Sequence, residues 1–365
     1  MQNTVRAVID LSALSHNLQV VRTLSPHSRV MALLKADAYG HGAVPAARAL
    51  AAADGFAVAR LQEAVELRRA GITRRLLLLG TLLDQDDLAL CSEQNIDVTA
   101  HDRNSVAAIA ASARQQPLRV WLKLDCGMHR LGLDAAAFVE ADRLLSVDRG
   151  VSELVHMTHF SSTQDMNSAV MAQQMARFMA CHAVNPGAGV SVANSAVLVG
   201  TPELRSDWVR PGIMLYGENP LAAAHPLPLR AVMTLRARVI ALREIAAGES
   251  VGYDGCWTSQ RRSRIATLGI GYADGYPRLA GNGTPVWING RRTALVGRVS
   301  MDSIGNDVTD VAEVAVGDEA TLWGPELPVA TIAECARSSS YELFTRLGQR
   351  VSREYIGAVP EGHSL

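Results

Sequence analysis

Short apolar runs alternate with helical patterns through roughly the first two-thirds of the chain. Helical periodicity, as in Leu61–Gly71 and Asp102–Arg114, separates most of the runs. Eight strands with helices between them predict a (β/α)8 TIM barrel, and a doubly wound parallel sheet is the alternative. The eight candidate strands are Arg29–Lys35, Gly55–Ala59, Arg75–Leu79, Ile96–Thr99, Leu118–Leu124, Ser152–Thr158, Val190–Ala193 and Trp208–Ile213.

The pattern changes after the proline-rich segment 226–228. From Met233 onward, strand-like alternation and glycine-rich turns dominate, and helical patterns return only near 329–336 and 341–347. The sequence therefore predicts a barrel over residues 1–230 and a mainly-β C-terminal domain over residues 231–365. A further short strand at about residues 5–10 is a candidate to pair with the C-terminal domain, and Ser12 is a candidate cap for the helix that follows it.

Composition narrows the function classes. Hydrophobic residues make up 48% of the chain, charged residues 19%, and the net charge is −1, which is typical of a globular protein and gives no electrostatic case for nucleic acid or acidic membranes. No segment approaches the roughly 20 apolar residues of a membrane span, and the N-terminus does not resemble a signal peptide. The five cysteines are scattered without a CxxC pair, which favours reduced thiols, a cytoplasmic setting and no metal site.

Lys35 lies at the carboxyl end of a buried apolar run and is followed by Gly40 and Gly42. Burial lowers the pKa of a lysine and frees its amine as a nucleophile, which is the condition for Schiff-base chemistry. The alternative is a lysine whose stem packs while its ammonium reaches solvent.

Other polar residues also fall at the carboxyl ends of the predicted strands, where barrel enzymes place their chemistry. Arg130 follows the fifth strand, His159 the sixth, Asn194 and Ser195 the seventh, and Arg210 lies in the eighth. The pattern predicts an active site at this rim of the barrel.

The segment Leu-Lys-Ala-Asp-Ala-Tyr-Gly-His-Gly at 34–42 resembles the pyridoxal-phosphate lysine motif of alanine racemases. Six further segments agree in type and order, so the resemblance covers nearly the whole chain. It implies a barrel followed by a β domain, pyridoxal 5'-phosphate as cofactor, interconversion of L- and D-alanine, and a homodimer with shared active sites. The matching segments are 121–132, 193–196, 209–213, 251–255, 271–278 and 297–302.

The resemblance implies a two-base reaction. Lys35 would hold the cofactor and serve one face of the substrate, and Tyr253 of the partner subunit would serve the other. A tyrosine needs a cationic neighbour to act as a base near neutral pH, and the resemblance gives this role to Arg210 and His159. Without the other matches, Tyr253 would be interpreted as a turn tyrosine in a glycine-rich hairpin.

Further roles follow from the same resemblance. Arg210 would donate to the pyridine nitrogen, which disfavours transamination and decarboxylation, and Arg130 would bind the cofactor's phenolic oxygen and the substrate carboxylate. The lysine that matches Lys123 is carbamylated in some family members; an uncarbamylated strand lysine whose ammonium reaches solvent is the alternative. His159 would stack on the cofactor ring, and the remaining cofactor-binding residues would be Tyr39, Asn194, Ser195, Gly212, Ile213 and Tyr341. Met301 would offer its N–H to the substrate carboxylate, and Tyr272 would line the entry channel.

Several functions stay open at this level. Ser303 stands where family members often carry an apolar residue, which leaves a broader amino-acid racemase, for example of serine, as an alternative. A barrel-type pyridoxal decarboxylase, a non-catalytic pyridoxal-phosphate carrier and a phosphosugar-binding barrel are the more distant rivals. Provision of D-alanine for peptidoglycan and alanine catabolism are both compatible with the sequence.

Overall fold

The computed structural model describes residues 4–80, 82–112, 116–161, 169–201, 204, 206–221, 225–311 and 313–357. These residues form two compact units. Of the described residues, the barrel unit comprises those within Leu14–Ala38 and Ala43–Leu229, and the β unit comprises those within 4–13, Tyr39–Gly42 and 230–357. No described helix is long and apolar enough to cross a membrane.

The barrel unit contains eight parallel strands in the order β8-β7-β6-β5-β4-β3-β2-β9. A bridge between Asn194 and Arg210 joins the two ends of this order, so the sheet is nearly closed. The predicted barrel is confirmed, and the doubly wound alternative is wrong. The first strand of the chain, β1 (Val5–Asp10), belongs to the β unit, and the barrel strands are β2 (Arg29–Leu33), β3 (Gly55–Val58), β4 (Arg75–Leu78), β5 (Ile96–Ala100), β6 (Leu118–Lys123), β7 (Val151–Met157), β8 (Gly189–Ser191) and β9 (Trp208–Val209).

Among the described residues, nine α-helices precede or follow these strands, and several begin at an acidic cap. Asp102 Oδ1, for example, accepts the Ser105 N–H at 2.7 Å. Asp10 Oδ1 accepts the N–H of Ser12 and of Ala13, so Asp10, rather than the predicted Ser12, caps the first helix. The helices are α1 (Leu11–Leu24), α2 (Lys35–Gly40), α3 (Ala43–Ala49), α4 (Leu61–Arg69), α5 (Gln85–Glu93), α6 (Arg103–Ala111), α7 (Ala135–Leu145), α8 (Ala169–His182) and α9 (Ser195–Gly200).

The turn α2 is left-handed. Its residues Ala36 to Tyr39 have φ angles of 53–54°, which L-residues rarely adopt in succession. Within the barrel unit, Glu63 supports the start of the turn, because its Oε1 accepts the Ala36 N–H at 2.6 Å, and Asp37 Oδ1 accepts the Ala43 N–H at 2.7 Å. The sequence predicted a turn through Gly40 and Gly42, whereas the reversal begins directly at Lys35.

An ionic cluster fills the barrel at the amino ends of its strands. Asp97 is fully buried and accepts hydrogen bonds from Arg75 Nε at 2.5 Å, Arg119 Nε at 2.6 Å and Trp121 Nε1 at 2.9 Å. The Arg75 guanidinium also lies over the Trp208 ring, 4.8 Å from its centroid. A buried carboxylate is tolerated here because each of its oxygens is bonded to a cation.

The β unit is built on a long strand with alternating burial. In β10, Leu235, Ala237 and Val239 are buried while Arg236 and Arg238 are not, as the alternation predicts. Strand β1 pairs antiparallel with β10 and parallel with β18. The elements of this unit are β10 (Met233–Ile245), β11 (Ser250–Val251), β12 (Trp257–Thr258), β13 (Ser263–Leu268), β14 (Pro285–Ile288), β15 (Arg291–Val296), β16 (Ile304–Asp307), β17 (Glu319–Trp323), α10 (Val329–Cys335), α11 (Ser340–Arg346) and β18 (Ser352–Ile356).

Candidate active site

Lys35 is the first residue of α2, two positions beyond the end of β2. Burial is the main cause that lowers the pKa of its amine, and the positive charge of Arg130 lowers it further. A lysine that loses its proton easily can act as a nucleophile and as a base.

Lys123 ends β6 and is 8% exposed. Burial, followed by the charges of Arg210, Arg130 and Lys35, lowers the pKa of Lys123 to about 8. Lys35 and Lys123 are the only lysines in the sequence, since every other Lys/Arg side chain is an arginine. Both ε-amines of the chain therefore belong to one electrostatic cluster.

His159 lies just after β7 and belongs to the same cluster. Burial lowers its pKa to about 3, helped by the charges of Arg210, Lys123 and Arg130. Its imidazole is therefore neutral at physiological pH, so it offers one donor and one acceptor rather than a charge.

Arg210 is a buried cation bonded to neutral oxygens. Its Nη1 donates to the Ser191 carbonyl at 2.7 Å and to the Ser191 hydroxyl at 2.5 Å, and its Nη2 donates to the Thr158 carbonyl at 2.6 Å. Burial lowers the pKa of Arg210 to about 10, which still leaves it charged near neutral pH. These hydrogen bonds fix the position of the Arg210 guanidinium, but the neutral oxygens of Ser191 and Thr158 do not neutralise its charge.

The loop that carries Arg130 is shaped by Asp125. Asp125 Oδ1 accepts the backbone N–H groups of Gly127, Met128 and His129 at 2.9–3.0 Å. Arg130 follows this tight turn and is exposed, so its guanidinium is available to a ligand.

A second group of residues lies where α9 meets the segment after β9. Asn194 caps α9 by accepting the N–H groups of Ala196 and Val197, and the Ser195 hydroxyl accepts the Gly212 N–H at 2.9 Å. Asn194 rather than Ser195 is thus the helix cap. The Ser195 hydroxyl proton stays available to an anion such as a phosphate.

The β unit holds the other predicted residues. The Tyr39 and Tyr341 rings lie 5.8 Å apart, and the pKa of the Tyr39 hydroxyl is raised by burial. Met301 is 53% exposed, and its carbonyl accepts the N–H of Ala273, the neighbour of Tyr272. Tyr253 lies between strands β11 and β12 and is 69% exposed.

The sequence alone did not point to the residues that hold these groups in place. Ser191 and Thr158 supply the oxygens around Arg210, and Glu63 supports the turn after Lys35. The signal for Ser191 was a small polar residue within a buried strand, which is also common in ordinary barrel cores.

The barrel unit can therefore bind an anionic ligand next to a reactive amine. The charge of Arg130 lowers the pKa of Lys35, and the charges of Arg210, Arg130 and Lys35 lower the pKa of Lys123, whereas the carboxylates of Glu63 and Asp125 act in the opposite direction. A phosphorylated, phenolate-bearing aldehyde fits this cluster, because the cations suit its negative groups and Lys35 suits its carbonyl. The fold and the cluster define a barrel enzyme of the Schiff-base-forming, pyridoxal-phosphate-dependent class.

Comparison with known proteins makes the identification specific. The sequence matches the family descriptions "Alanine racemase, N-terminal domain" over residues 9–220 and "Alanine racemase, C-terminal domain" over residues 232–355. It is 46% identical to an alanine racemase of Yersinia pestis over 96% of this chain and 98% of that one, and 45% identical to a catabolic alanine racemase of Pseudomonas putida over 96% and 99%.

Solved alanine racemase structures have the same fold as this chain. The biosynthetic alanine racemase of Pseudomonas aeruginosa matches with a TM-score of 0.93 and 42% identity over 98% of this chain and all of that one. The Bartonella henselae alanine racemase, whose structure carries covalently bound pyridoxal phosphate, matches with a TM-score of 0.88 and 30% identity over 97% of this chain and all of that one. The chain belongs to the alanine racemase family, and it is a pyridoxal-phosphate-dependent amino-acid racemase.

Proposed function

We propose that this chain interconverts L- and D-alanine by moving the α-proton between two bases, Lys35 and Tyr253 of the partner subunit, in a homodimer. The observation that carries the proposal is the reactive amine of Lys35 within a cluster of cations at the barrel rim. The boundary near residue 230 would separate the barrel, which binds the cofactor, from the domain that supplies Tyr253.

Bound pyridoxal phosphate supplies an electron sink that makes the α-proton of an attached amino acid acidic. Lys35 would hold the cofactor covalently, and its lowered pKa lets the released amine accept or return a proton on one face of the substrate. Tyr253 would do the same on the other face, so that the two directions of the reaction exchange the roles of the two residues.

Arg210 restricts the chemistry to proton transfer. An arginine can only donate a hydrogen bond, so at the pyridine nitrogen it would leave that nitrogen unprotonated. Because Ser191 and Thr158 fix its guanidinium, Arg210 can hold this position without a carboxylate. The neutral His159 would stack on the ring and link the Arg210 charge to Tyr253.

The remaining residues would bind the ligand's anionic groups. Arg130 and the Met301 N–H suit the substrate carboxylate, and Tyr272 would line the entry channel. Lys123 is open to carbamylation, because a pKa of about 8 leaves part of its amine in the neutral form that reacts with carbon dioxide. The cofactor phosphate would be held by Tyr39, Asn194, Ser195, Gly212, Ile213 and Tyr341.

The two-lysine sequence makes the cofactor assignment easy to test. Borohydride reduction of the holoenzyme should place the cofactor mass on the peptide containing Lys35, and Lys35→Ala should lose both the adduct and the visible absorbance. The adduct should persist in Lys123→Ala, which is the matched control. If neither lysine carried the adduct, the covalent role of Lys35 would be refuted, whether or not the protein racemised alanine.

Proton exchange tests the division of labour between the bases. In deuterated water, Tyr253→Phe should slow α-proton exchange starting from L-alanine far more than from D-alanine. Equal and mild losses from both enantiomers would contradict the two-base proposal.

Substrate breadth is a separate question, because Ser303 is polar where an apolar residue is common in the family. Chiral chromatography of L-alanine, D-alanine, L-serine and L-lysine incubations should show the two alanine samples converging on equal amounts of each enantiomer. Turnover of serine at a comparable rate would support the broader racemase. The same protein could serve D-alanine synthesis for peptidoglycan or alanine catabolism, and the five free cysteines support a cytoplasmic location.

A further inference from the structure

The loop 300–303, which carries Met301, is held by the backbone of its neighbour. Tyr272 donates its N–H to the Ser300 carbonyl and Ala273 donates its N–H to the Met301 carbonyl, both at 3.0 Å, while Ser300 donates to the Ser303 carbonyl at 3.0 Å. Among the residues that the structure describes, the Met301 N–H has no acceptor. This N–H is therefore available to a ligand, and its direction depends on how the loop is held.

The neighbour is a short 3-10 helix, Tyr272–Asp274, with a buried carboxylate at its end. Asp274 is 2% exposed, and its Oδ2 accepts the Gly271 N–H at 2.8 Å. Gly271 lies so close to the loop that a Cβ atom there would come within 2.2 Å of the Met301 carbonyl oxygen. The helix and the loop therefore cannot shift independently.

Arg350 joins this helix to the loop. Its Nε lies 3.2 Å from Asp274 Oδ1, and its Nη2 donates to Asp302 Oδ1 at 2.7 Å. Asp302 directly follows Met301, so the second contact acts on the peptide next to the free N–H. The fork of the guanidinium suits this bridge, because its nitrogens reach two carboxylates at once.

Stability alone is a weak explanation for the bridge. The Arg350 and Asp302 side chains are 54% and 60% exposed, and exposed ion pairs of this kind contribute little to folding. The buried partner Asp274 and the loop position of Asp302 point instead to a geometric role.

We propose that Arg350 is a positioning residue for substrate binding: by bridging Asp274 and Asp302, it fixes the loop 300–303 so that the Met301 N–H faces the substrate carboxylate. The inference rests on the proposed function only in assigning that carboxylate to Met301. The arginine touches neither substrate nor cofactor in this role.

The test uses the holoenzyme and separates substrate binding from turnover. In Arg350→Gln, the KM for L-alanine should rise about fivefold to tenfold, the size expected when a charge-assisted hydrogen bond that orients a binding group is lost, while kcat changes less than about twofold. Calorimetric titration with propionate, which has the carboxylate but no amine, should show affinity falling by the same factor.

Three variants control the result. Arg346→Gln removes a similarly exposed arginine, paired with Glu342 within α11, and should leave both readouts unchanged. Asp302→Ala removes the acceptor of the loop contact but leaves Arg350 beside Asp274, so the KM and propionate effects should recur. Arg350→Lys keeps the charge but not the fork, and its KM should stay raised.

Unchanged propionate affinity in folded Arg350→Gln and Asp302→Ala would overturn the proposal, as would full recovery in Arg350→Lys. An equal effect from Arg346→Gln would show a general charge effect and would also overturn it. Failure of the wild-type holoenzyme to racemise alanine would instead refute the proposed function, and the propionate titration would still report on Arg350.

Discussion

Replacing Ala36 by glycine should stabilise the barrel unit, although the same substitution in an ordinary helix destabilises. Ala36 has a φ of 54°, and its side chain is exposed, so removing its Cβ leaves no cavity. A left-handed conformation costs a non-glycine residue roughly 1–2 kcal/mol. Glycine adopts this conformation without strain, but its greater entropy in the unfolded chain destabilises the folded state by about 0.5–1 kcal/mol. The net stabilisation should therefore be about 0.5 kcal/mol.

The matched control is Ala107→Gly. Ala107 is also exposed and lies in the middle of the right-handed helix α6, in the same unit. The Ala107→Gly variant should have a free energy of unfolding lower by about 0.5–1 kcal/mol, because only the entropic cost of glycine applies there. The two free-energy changes should therefore differ by about 1–2 kcal/mol, which is the cost of the left-handed residue itself.

Urea unfolding monitored by far-UV circular dichroism measures this difference. Both substitutions lie in the barrel unit, so their effects are compared in the same unfolding transition. Retention of the Ala36 N–H bond to Glu63 is expected, since it involves only the backbone of residue 36. If Ala36→Gly destabilises as much as Ala107→Gly, the turn after Lys35 is not held in a left-handed conformation in solution.

Three further outcomes follow from the structure. Asp97→Asn should destabilise the barrel unit by about 3 kcal/mol in urea unfolding, because it removes the charge that two arginines share; a loss below about 1 kcal/mol would show that this cluster adds little. The stability of the cofactor-free protein should fall between about pH 6.5 and pH 3, since His159 has a lowered pKa of about 3 and the unfolded chain binds its proton first; His159→Gln should flatten this slope, and an identical slope would contradict the assignment. Gly271→Ala should disrupt the fold through its clash with the Met301 carbonyl, whereas Gly281→Ala, with nothing within 4 Å of its Cβ, should melt like the wild type; equal melting temperatures would refute the close approach.

The barrel was predictable because its strands are short apolar runs at regular spacing, and burial on both faces leaves a clear signal. The left-handed turn at 36–39 was not, because Ala-Asp-Ala-Tyr contains no glycine, and one aspartate, which tolerates positive φ singly, does not predict four such residues in succession. Tertiary contacts impose it: the Glu63 carboxylate binds the Ala36 N–H, and a Cβ on Gly40 would meet the Phe344 carbonyl at 2.3 Å. Such contacts join positions far apart in the sequence and leave no local pattern.

The candidate residues at the rim were predictable one by one, but their electrostatic state was not. The sequence predicts that Lys123 and Arg210 lie in buried strands. Only the structure shows that Arg210 donates hydrogen bonds to the Ser191 and Thr158 oxygens, and that the charge of Arg210 lowers the pKa of Lys123. The expected cationic pair of Arg210 and His159 is therefore one cation and one neutral ring, because burial and the surrounding charges keep His159 unprotonated.

The lowered pKa values of the two lysines explain how an aldehyde cofactor can react selectively with one lysine side chain of this protein. An aldehyde reacts with neutral amines, and an exposed lysine is almost wholly protonated near neutral pH. Here every other Lys/Arg position is an arginine, whose guanidinium does not form such adducts, and the two lysines both have lowered pKa values. Since Lys123 is buried to 8% exposure while Lys35 opens the turn at the barrel rim, access rather than reactivity distinguishes them. Selectivity for Lys35 should therefore survive at high pH, where both amines are neutral, and this is the regime in which the reduced adduct is most informative.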